Sequence, residues 1–267
     1  MNAQELIKVF EEYCPQELAE TGDPVGLHIG TLNKEIKKVM ITLDVRPETI
    51  EEAIEKNIDL LIAKHPPIFR PVKRLTTNDP QTKMYVDCLK HDIAIYAAHT
   101  NIDIIENGLN DWFSEMLGIE NTQFLEQTHE YQGKIYGIGR IGDLRKPVSI
   151  NEFAEKIKTT FGTDGLRMIT KTPDAMVQRV AICGGSGEKF YPTAIAKGAD
   201  LYITGDIYYH TAHDMIANGL HAIDPGHHIE ILFTKKVAQI VQNWKKEYNW
   251  VIEVFESTAN TNPFIYK

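Results

Sequence analysis

Residues 38–63, KVMITLDVRPETIEEAIEKNIDLLIA, decide the fold of this chain. The apolar run at 38–45 is typical of a buried strand, and a second run of this kind covers 58–63. Between them Pro47 opens a helical pattern that continues through Lys56, because a proline in the first helical turn loses no hydrogen bond. Strand, helix and strand in this order predict a β-α-β unit.

The same alternation continues on either side of this unit. Further helices are predicted at 4–13, 79–91 and 107–117, and a further strand is predicted at 93–98. Strands that alternate with helices imply a mostly parallel sheet with helices on its faces. The sequence therefore predicts an α/β protein.

The pattern returns in the second half of the chain at a constant offset of 141 residues. Residues 39–41, 53–56 and 59–62 correspond in this way to 180–182, 194–197 and 200–203. Two linked and related α/β domains with mixed, mostly parallel sheets and a metal site between them are the interpretation we favour. The alternative is that all buried strands look alike.

The intervening segment 124–178 has a different character. Strands are predicted at 134–141 and 165–171, a helix at 150–161, and polar, Gly and Pro residues surround them. We interpret 124–178 as an inserted or linking α+β segment. Residues 1–123 and the C-terminal part of 180–267 would then be the main α/β halves that form the metal cleft.

Composition excludes several classes of protein. A net charge of −9 argues against nucleic acid as a default partner, since affinity for phosphate backbones comes largely from Lys and Arg. The N-terminus has no signal-peptide pattern, no apolar run is long enough to span a membrane, and three widely spaced cysteines indicate a reducing compartment. We therefore expect a cytoplasmic protein. Motifs of P-loop NTPases and of serine hydrolases are absent.

Three distant segments, 62–67, 96–103 and 224–230, each place a histidine after an apolar run. His65 is followed by two prolines that stiffen its loop, Asp103 comes four residues after His99, and Glu230 comes three residues after His227. Imidazoles and carboxylates are the ligands of borderline divalent metals, and strand ends are where α/β proteins build their sites. The pattern predicts a metal site.

Each of these segments also has a plainer interpretation when it is taken alone. His65 could be a loop histidine that faces solvent, and Asp103 could be a helix cap. His227 and Glu230 could be a capped helix start with an exposed acid.

Other polar residues are candidates for substrate contacts. His210 and His213 lie three residues apart on a predicted helix near Asp206, where a solvated helix face is the alternative. Gly185 and Ser186 belong to a Gly-rich turn that could present backbone N–H groups to a phosphate, or simply connect a strand to a helix.

Taken together, these segments resemble the family of GTP cyclohydrolase 1 type 2 homologues, also known through a yeast transcription-adaptor-interacting factor. The resemblance runs from about residue 5 to about residue 255 and rests on six motifs: GDPVGL at 22–27, KHPPIF at 64–69, AHTNID at 98–103, CGGSG at 183–187, ITGD at 203–206 and DPGH at 224–227. It implies two linked α/β domains, a dinuclear metal centre between them and a toroidal homohexamer.

Carried over position by position, the resemblance implies that His65, Asp103, His227 and Glu230 are metal ligands, with His99 a ligand or a near neighbour. The chain departs from the family at Lys64, where a second histidine is usual. An ammonium cannot ligate a cation, so Lys64 would instead place a positive charge near the second metal or contact a substrate. We therefore expect one tight divalent ion (Zn, Mn, Fe or Ni) and a weak or empty second position.

Two functions of different classes follow. The first is a metal-dependent hydrolase similar to GTP cyclohydrolase, which opens the imidazole ring of a purine nucleotide or acts on a related phosphorylated molecule, with Glu230 and His99 as catalytic groups. The second is a ring-shaped metal-binding protein that acts through partners. The cluster of histidines at strand ends favours the first, and the replacement of one ligand by Lys64 favours the second.

Overall fold

The structure, a computed structural model, describes residues 1–267. These residues form two compact units. The first unit contains residues 1–102 and 231–263, and the second contains residues 103–230 and 264–267. Both contain a β-sheet and several helices, which confirms the predicted α/β class. The boundaries differ from the expected segments 1–123, 124–178 and 180–267.

The regular elements follow one another in a mixed α/β order. The helices are α1 (Ala3–Tyr13), α2 (Pro47–Lys56), α3 (Pro80–Lys90), α4 (Thr100–Ile104), α5 (Leu109–Leu117), α6 (Ile150–Phe161), α7 (Tyr191–Ala196), α8 (Tyr209–Ala217) and α9 (Leu232–Glu247). The strands are β1 (Gly26–Ile29), β2 (Lys38–Thr42), β3 (Leu60–Ala63), β4 (Ala94–Ala97), β5 (Ile119–Tyr131), β6 (Lys134–Ser149), β7 (Arg167–Ile169), β8 (Met176–Ile182), β9 (Leu201–Ile203), β10 (His221–Asp224) and β11 (Glu253–Glu256).

The first unit is a five-stranded sheet in the order β1-β4-β3-β2-β11. Strands β4, β3, β2 and β11 are parallel, and only β1 at the edge runs antiparallel. Every residue of β3 and β4 is buried, as expected for central strands covered on both faces. The carboxyl ends of β2, β3 and β4 therefore lie side by side, and the chain leaves each of them through a loop that carries polar residues.

The predicted β-α-β unit is confirmed as β2, α2 and β3. Pro47 occupies the first turn of α2, and the helix ends where Asn57 adopts the left-handed conformation with a φ of 55°. Ile50 and Ala53 point from α2 into a core that also contains Met40 and Leu61 from the two strands. Burial of this apolar face holds the helix against the sheet.

The second unit is a six-stranded sheet in the order β5-β6-β8-β9-β10-β7. Its central strands β8, β9 and β10 are parallel, whereas β5, β6 and β7 pair antiparallel with their neighbours. The segment 124–178 therefore supplies edge and neighbouring strands to the same sheet as β8–β10. Its predicted helix at 150–161 is α6, which is capped by the Ser149 side chain at its start and by Gly162 at its end.

Every helix of the structure is too short or too polar to serve as a transmembrane span.

Candidate functional site

In the first unit, His65 lies directly beyond β3 and is held by a carboxylate. Its Nδ1 is 2.7 Å from Oδ1 of Asp44, a residue that follows the neighbouring strand β2. The other oxygen of Asp44 accepts a hydrogen bond of 2.5 Å from the Thr261 hydroxyl. A carboxylate at Nδ1 favours the tautomer that carries its proton there, so the lone pair of Nε2 is available for a metal ion.

His99 is supported in the same way. Its Nδ1 is 2.6 Å from Oδ1 of Asp23, and the Thr100 hydroxyl and backbone N–H both donate to Oδ2 of this carboxylate. Burial raises the pKa of Asp23, but the hydrogen bonds from His99 and Thr100 outweigh it and lower the pKa below its ordinary value. The rings of His65 and His99 lie edge to face with centroids 5.7 Å apart. The first unit thus brings two of the predicted site residues together.

Asp103 belongs to the second unit and lies in the short helix α4. Its side chain is almost fully buried, and its backbone carbonyl accepts a hydrogen bond of 2.9 Å from the side chain of Asn110. A buried carboxylate is costly unless a cation or several hydrogen bonds compensate its charge. A bound metal ion would supply this compensation.

His227 and Glu230 are adjacent in the second unit. A 3₁₀ helix over His227–Ile231 follows β10 and Gly226, and it places Nε2 of His227 3.2 Å from Oε2 of Glu230. Nδ1 of His227 is 2.6 Å from Oδ2 of Asp206, which follows β9. The hydrogen bond from His227 lowers the pKa of Asp206, which therefore stays ionised. The alternative of an exposed acid is excluded, because Glu230 is fully buried.

The Gly-rich turn after β8 makes room for this pair. A Cβ atom at Gly185 would lie 2.9 Å from Oε1 of Glu230 and 3.5 Å from Nε2 of His227, and a Cβ at Gly184 would lie 3.2 Å from the same carboxylate. A Cβ at Gly205 would lie 3.0 Å from the backbone nitrogen of His227. Three glycines therefore form a close-fitting cradle around Glu230 and His227.

This arrangement fits a divalent metal. Two ligand atoms that lie about 2.1 Å from one tetrahedral ion are about 3.4 Å apart, close to the observed separation of the His227 and Glu230 atoms. Within the second unit, His227 and Glu230 offer one imidazole and one carboxylate, a donor pair that could bind a metal ion. Carboxylates behind His65 and His227 are the supports that metal-binding histidines usually have.

The remaining candidates have varied surroundings. Lys64 is almost fully buried at the end of β3, whereas His210 and His213 are exposed on α8, where both rings contact Tyr209. The Ser186 hydroxyl donates to Asp206, so this part of the Gly-rich turn supports the partner of His227. The two N–H groups of Gly184 and Gly187 are already used by the side chains of Asn110 and Thr204.

Sequence reasoning did not identify Asp44 and Asp23 as partners of the two histidines. Asp44 had a detectable signal, because it is the only charged residue within the apolar run 39–45. Asp23 lies more than 70 residues before His99 in the chain, and no local spacing connects the two.

The fold and the donor set together define a two-unit α/β protein that could bind a divalent metal. Residues 1–263 match the Duf34/NIF3 (NGG1p interacting factor 3) family, and the chain belongs to this family.

Relatives and solved structures agree with this assignment. Proteins named GTP cyclohydrolase 1 type 2 homolog from Streptococcus pneumoniae and Lactococcus lactis are 54% and 43% identical to this chain, and each alignment covers 99% of both proteins. The crystal structure of a Bacillus cereus protein related to NIF3 superposes with a TM-score of 0.96 at 30% identity, over 100% of this chain and 99% of that one. Reduced HcgD from Methanocaldococcus jannaschii superposes with a TM-score of 0.79 at 30% identity, over 96% and 97% of the two chains.

Proposed function

We propose that this protein is a metal-dependent hydrolase, similar to GTP cyclohydrolase, that acts on a nucleotide or a related small phosphorylated molecule. His65, Asp103, His227 and Glu230 are the proposed metal ligands. The observation that supports this most strongly is the pair His227 and Glu230, whose ligand atoms are 3.2 Å apart inside a glycine cradle. The names of the relatives from Streptococcus pneumoniae and Lactococcus lactis support the cyclohydrolase class.

A divalent ion held by these residues would supply an activated water near pH 7. The protein's own residues orient the donors and move protons. Asp44 and Asp206 hold their histidines through Nδ1, which leaves each Nε2 directed away from its carboxylate. His99 has the same support from Asp23, and its Nε2 can accept a proton from the attacking water or from the substrate. Glu230 is the second proposed proton carrier.

The donor set restricts the metal. Imidazole nitrogens with carboxylate oxygens suit Zn, Mn, Fe and Ni, and Ca or Mg prefer oxygen ligands alone. Because Lys64 is buried where a second histidine is usual in the family, we propose one tight ion per subunit, with a weak or empty second position.

The resemblance to the family also motivates a cytoplasmic homohexamer of toroidal shape. Cys14, Cys88 and Cys183 are buried and form no disulfide, in keeping with a reducing compartment. Light scattering at micromolar concentration should give about six times the chain mass of 30.3 kDa, and a monomer would contradict the proposal.

The alternative function is a ring-shaped metal-binding protein that acts through partners and turns nothing over. The burial of Lys64 favours it, because a lysine adds positive charge where a catalytic centre would gain a ligand. Under this alternative the metal would stabilise the fold but no substrate would be consumed.

An activity screen of the protein loaded with Zn, Mn, Fe or Ni distinguishes the two. GTP, other nucleotides and small phosphate esters are incubated with wild type and with His99→Ala and Glu230→Gln, and products are separated by chromatography. Turnover that the two variants lose would support the hydrolase. Tight metal binding without turnover of any compound would support the alternative.

A further inference from the structure

A pocket of about 430 Å³ opens in the first unit beside His65. Three segments line it: the loop after β2 with Asp44 and Arg46, the loop after β3 from His65 to Arg70, and the first turn of α3 with Gln81. It lies next to a proposed metal ligand, and none of the substrate residues suggested by the sequence lines it.

Two of the lining residues, Pro67 and Gln81, are held by hydrogen bonds to Tyr85. The Tyr85 hydroxyl donates a hydrogen bond of 2.5 Å to the carbonyl of Pro67, and the Gln81 side chain donates to the Tyr85 hydroxyl at 2.8 Å. Burial raises the pKa of Tyr85, so it remains a neutral donor. Pro66 and Pro67 restrict the backbone of the loop above it. A ligand would thus meet a preformed surface.

The charges of the pocket are unbalanced towards positive. Arg46 and Arg70 are exposed, and neither guanidinium makes an ion pair or a side-chain hydrogen bond. Asp44 is the only acid in the lining, and its two oxygens already accept hydrogen bonds from His65 and Thr261. Arg46 and Arg70 thus bring two guanidinium groups to a lining that holds a single carboxylate, in a chain with a net charge of −9.

We propose that this pocket binds the phosphate groups of a small phosphorylated ligand through Arg46 and Arg70. The planar guanidinium matches a phosphate through two parallel hydrogen bonds, and two of them can hold a di- or triphosphate. Phe69, which is 61% exposed at the rim, offers an aromatic face to the rest of the ligand. This phosphate site rests on the proposed function in one respect: the ligand is taken to be the phosphorylated substrate of that reaction.

Binding of tripolyphosphate to metal-free protein, measured by calorimetry, tests the pocket without any turnover. We expect Arg46→Gln and Arg70→Gln each to weaken binding at least about tenfold, which corresponds to about 1.4 kcal/mol. Arg46→Lys should retain part of the affinity, since it keeps the charge but loses the paired geometry. Arg145→Gln, at an exposed arginine of the second unit, is the matched control and should bind as wild type does.

The source of the phosphate is distinguished by comparing ligands. GTP should bind with a similar loss in the two arginine variants, and guanosine, which lacks phosphate, should not bind measurably. Equal affinity of wild type and the double variant Arg46→Gln/Arg70→Gln for tripolyphosphate would overturn the assignment. An oligonucleotide that binds more tightly than tripolyphosphate and GTP would also overturn it.

The same measurements distinguish failure of the proposed hydrolase function from failure of the phosphate site. If tripolyphosphate binding depends on both arginines but no compound is turned over, the phosphate site is supported and the hydrolase function is contradicted. If a phosphorylated substrate is turned over with an unchanged KM in the double variant, the hydrolase stands and the pocket assignment is wrong.

Discussion

Asp59 and Asp200 lie 141 residues apart, in different units, and make the same two hydrogen bonds. Oδ2 of Asp59 accepts from the backbone N–H groups of Lys37 and Lys38 at 2.7 and 2.8 Å. Oδ2 of Asp200 accepts from the N–H groups of Gln178 and Arg179 at 2.9 and 2.8 Å.

A second bond repeats at the same offset. The Lys38 ammonium donates to the carbonyl of Lys56 at 2.9 Å, and the Arg179 guanidinium donates to the carbonyl of Lys197 at 2.8 Å. Buried strands that merely look alike would not reproduce side-chain bonds at their solvent-exposed beginnings. The two β-α-β units therefore share these bonds as well as the 141-residue offset, which supports the interpretation that they are related.

We predict that Asp59→Ala and Asp200→Ala destabilise the protein equally, by about 1 kcal/mol for each hydrogen bond lost. Because both bonds of each aspartate end on a single oxygen, Asp→Asn can keep them and should cost less than Asp→Ala. Urea unfolding measures the difference, with Asp164→Ala at an exposed position as the control. If Asp→Asn costs as much as Asp→Ala, the shared bonds are not what stabilises these turns.

Gly185→Ala should weaken metal binding more than it weakens the fold. The residue has a φ of 62°, and its new Cβ would press against the carboxylate of Glu230 at 2.9 Å. Gly162→Ala is a close control, because Gly162 has a φ of 63° and open space around it. Gly162→Ala should lose about 1 kcal/mol of stability because of its positive φ, and Gly185→Ala should lose at least as much. Only Gly185→Ala should lose affinity for Zn or Co(II) in a chelator competition. Equal affinities would show that the cradle does not shape the site.

The hydrogen-bonded chain from Thr261 through Asp44 to His65 should tune metal affinity. Asp44→Asn removes the carboxylate behind His65, and losses of this kind are about 10-fold to 100-fold. Thr261→Val removes the hydroxyl donor to Asp44 and should have a smaller effect in the same direction, while Thr261→Ser should match wild type. Chelator competition and the absorption spectrum of the Co(II)-loaded protein report the change. An unaltered spectrum in Asp44→Asn would remove His65 from the ligand set.

Glu52 should stabilise the protein in a pH-dependent way. Burial raises its pKa, but hydrogen bonds from Ser257, Thr258 and Ala259 outweigh burial and lower the pKa below its ordinary value. A carboxyl with a lowered pKa in the folded state stabilises above its unfolded pKa of about 4.3, and this contribution is lost as the pH falls through the folded pKa.

Glu52→Gln should therefore cost about 1–3 kcal/mol at pH 7, since charged hydrogen bonds are lost, and the difference from wild type should shrink below about pH 4. Denaturant unfolding over a series of pH values measures it. Glu55→Gln, at an exposed position of the same helix, is the matched control for the loss of one carboxylate. If the loss of unfolding free energy in Glu52→Gln stays constant with pH, it comes from altered packing and not from the charge of Glu52.

The sequence predicted local structure well because local patterns determine it. Pro47 and the apolar spacing of 47–56 located α2, and the ends of apolar runs located the glycine turn and the three histidine segments. The division between units was not predictable, because the long strands β5 and β6 join the second sheet through pairing with β8, and pairing across the sheet leaves no periodic signal. For the same reason the partner of His99, Asp23, came only from the structure.

The proposed phosphate-binding role of Arg46 and Arg70 could not be predicted from the sequence for a related reason. Both follow strands whose apolar runs are easily recognised, yet two arginines 24 residues apart carry no motif. Only the pocket that brings their loops together gives them a shared role.

Metal content after exhaustive dialysis tests the central claim most directly. Elemental analysis of wild type should give one tightly held divalent ion per subunit, whereas His227→Ala and Glu230→Gln should lose it and His91→Ala, at an exposed histidine, should not. Lys64→His should hold two ions, since it supplies an imidazole and removes a repulsion of about 4 kcal/mol between unit charges about 4 Å apart at a dielectric constant of about 20. Retention of the ion by both His227→Ala and Glu230→Gln, or two equally retained ions in wild type, would contradict this account.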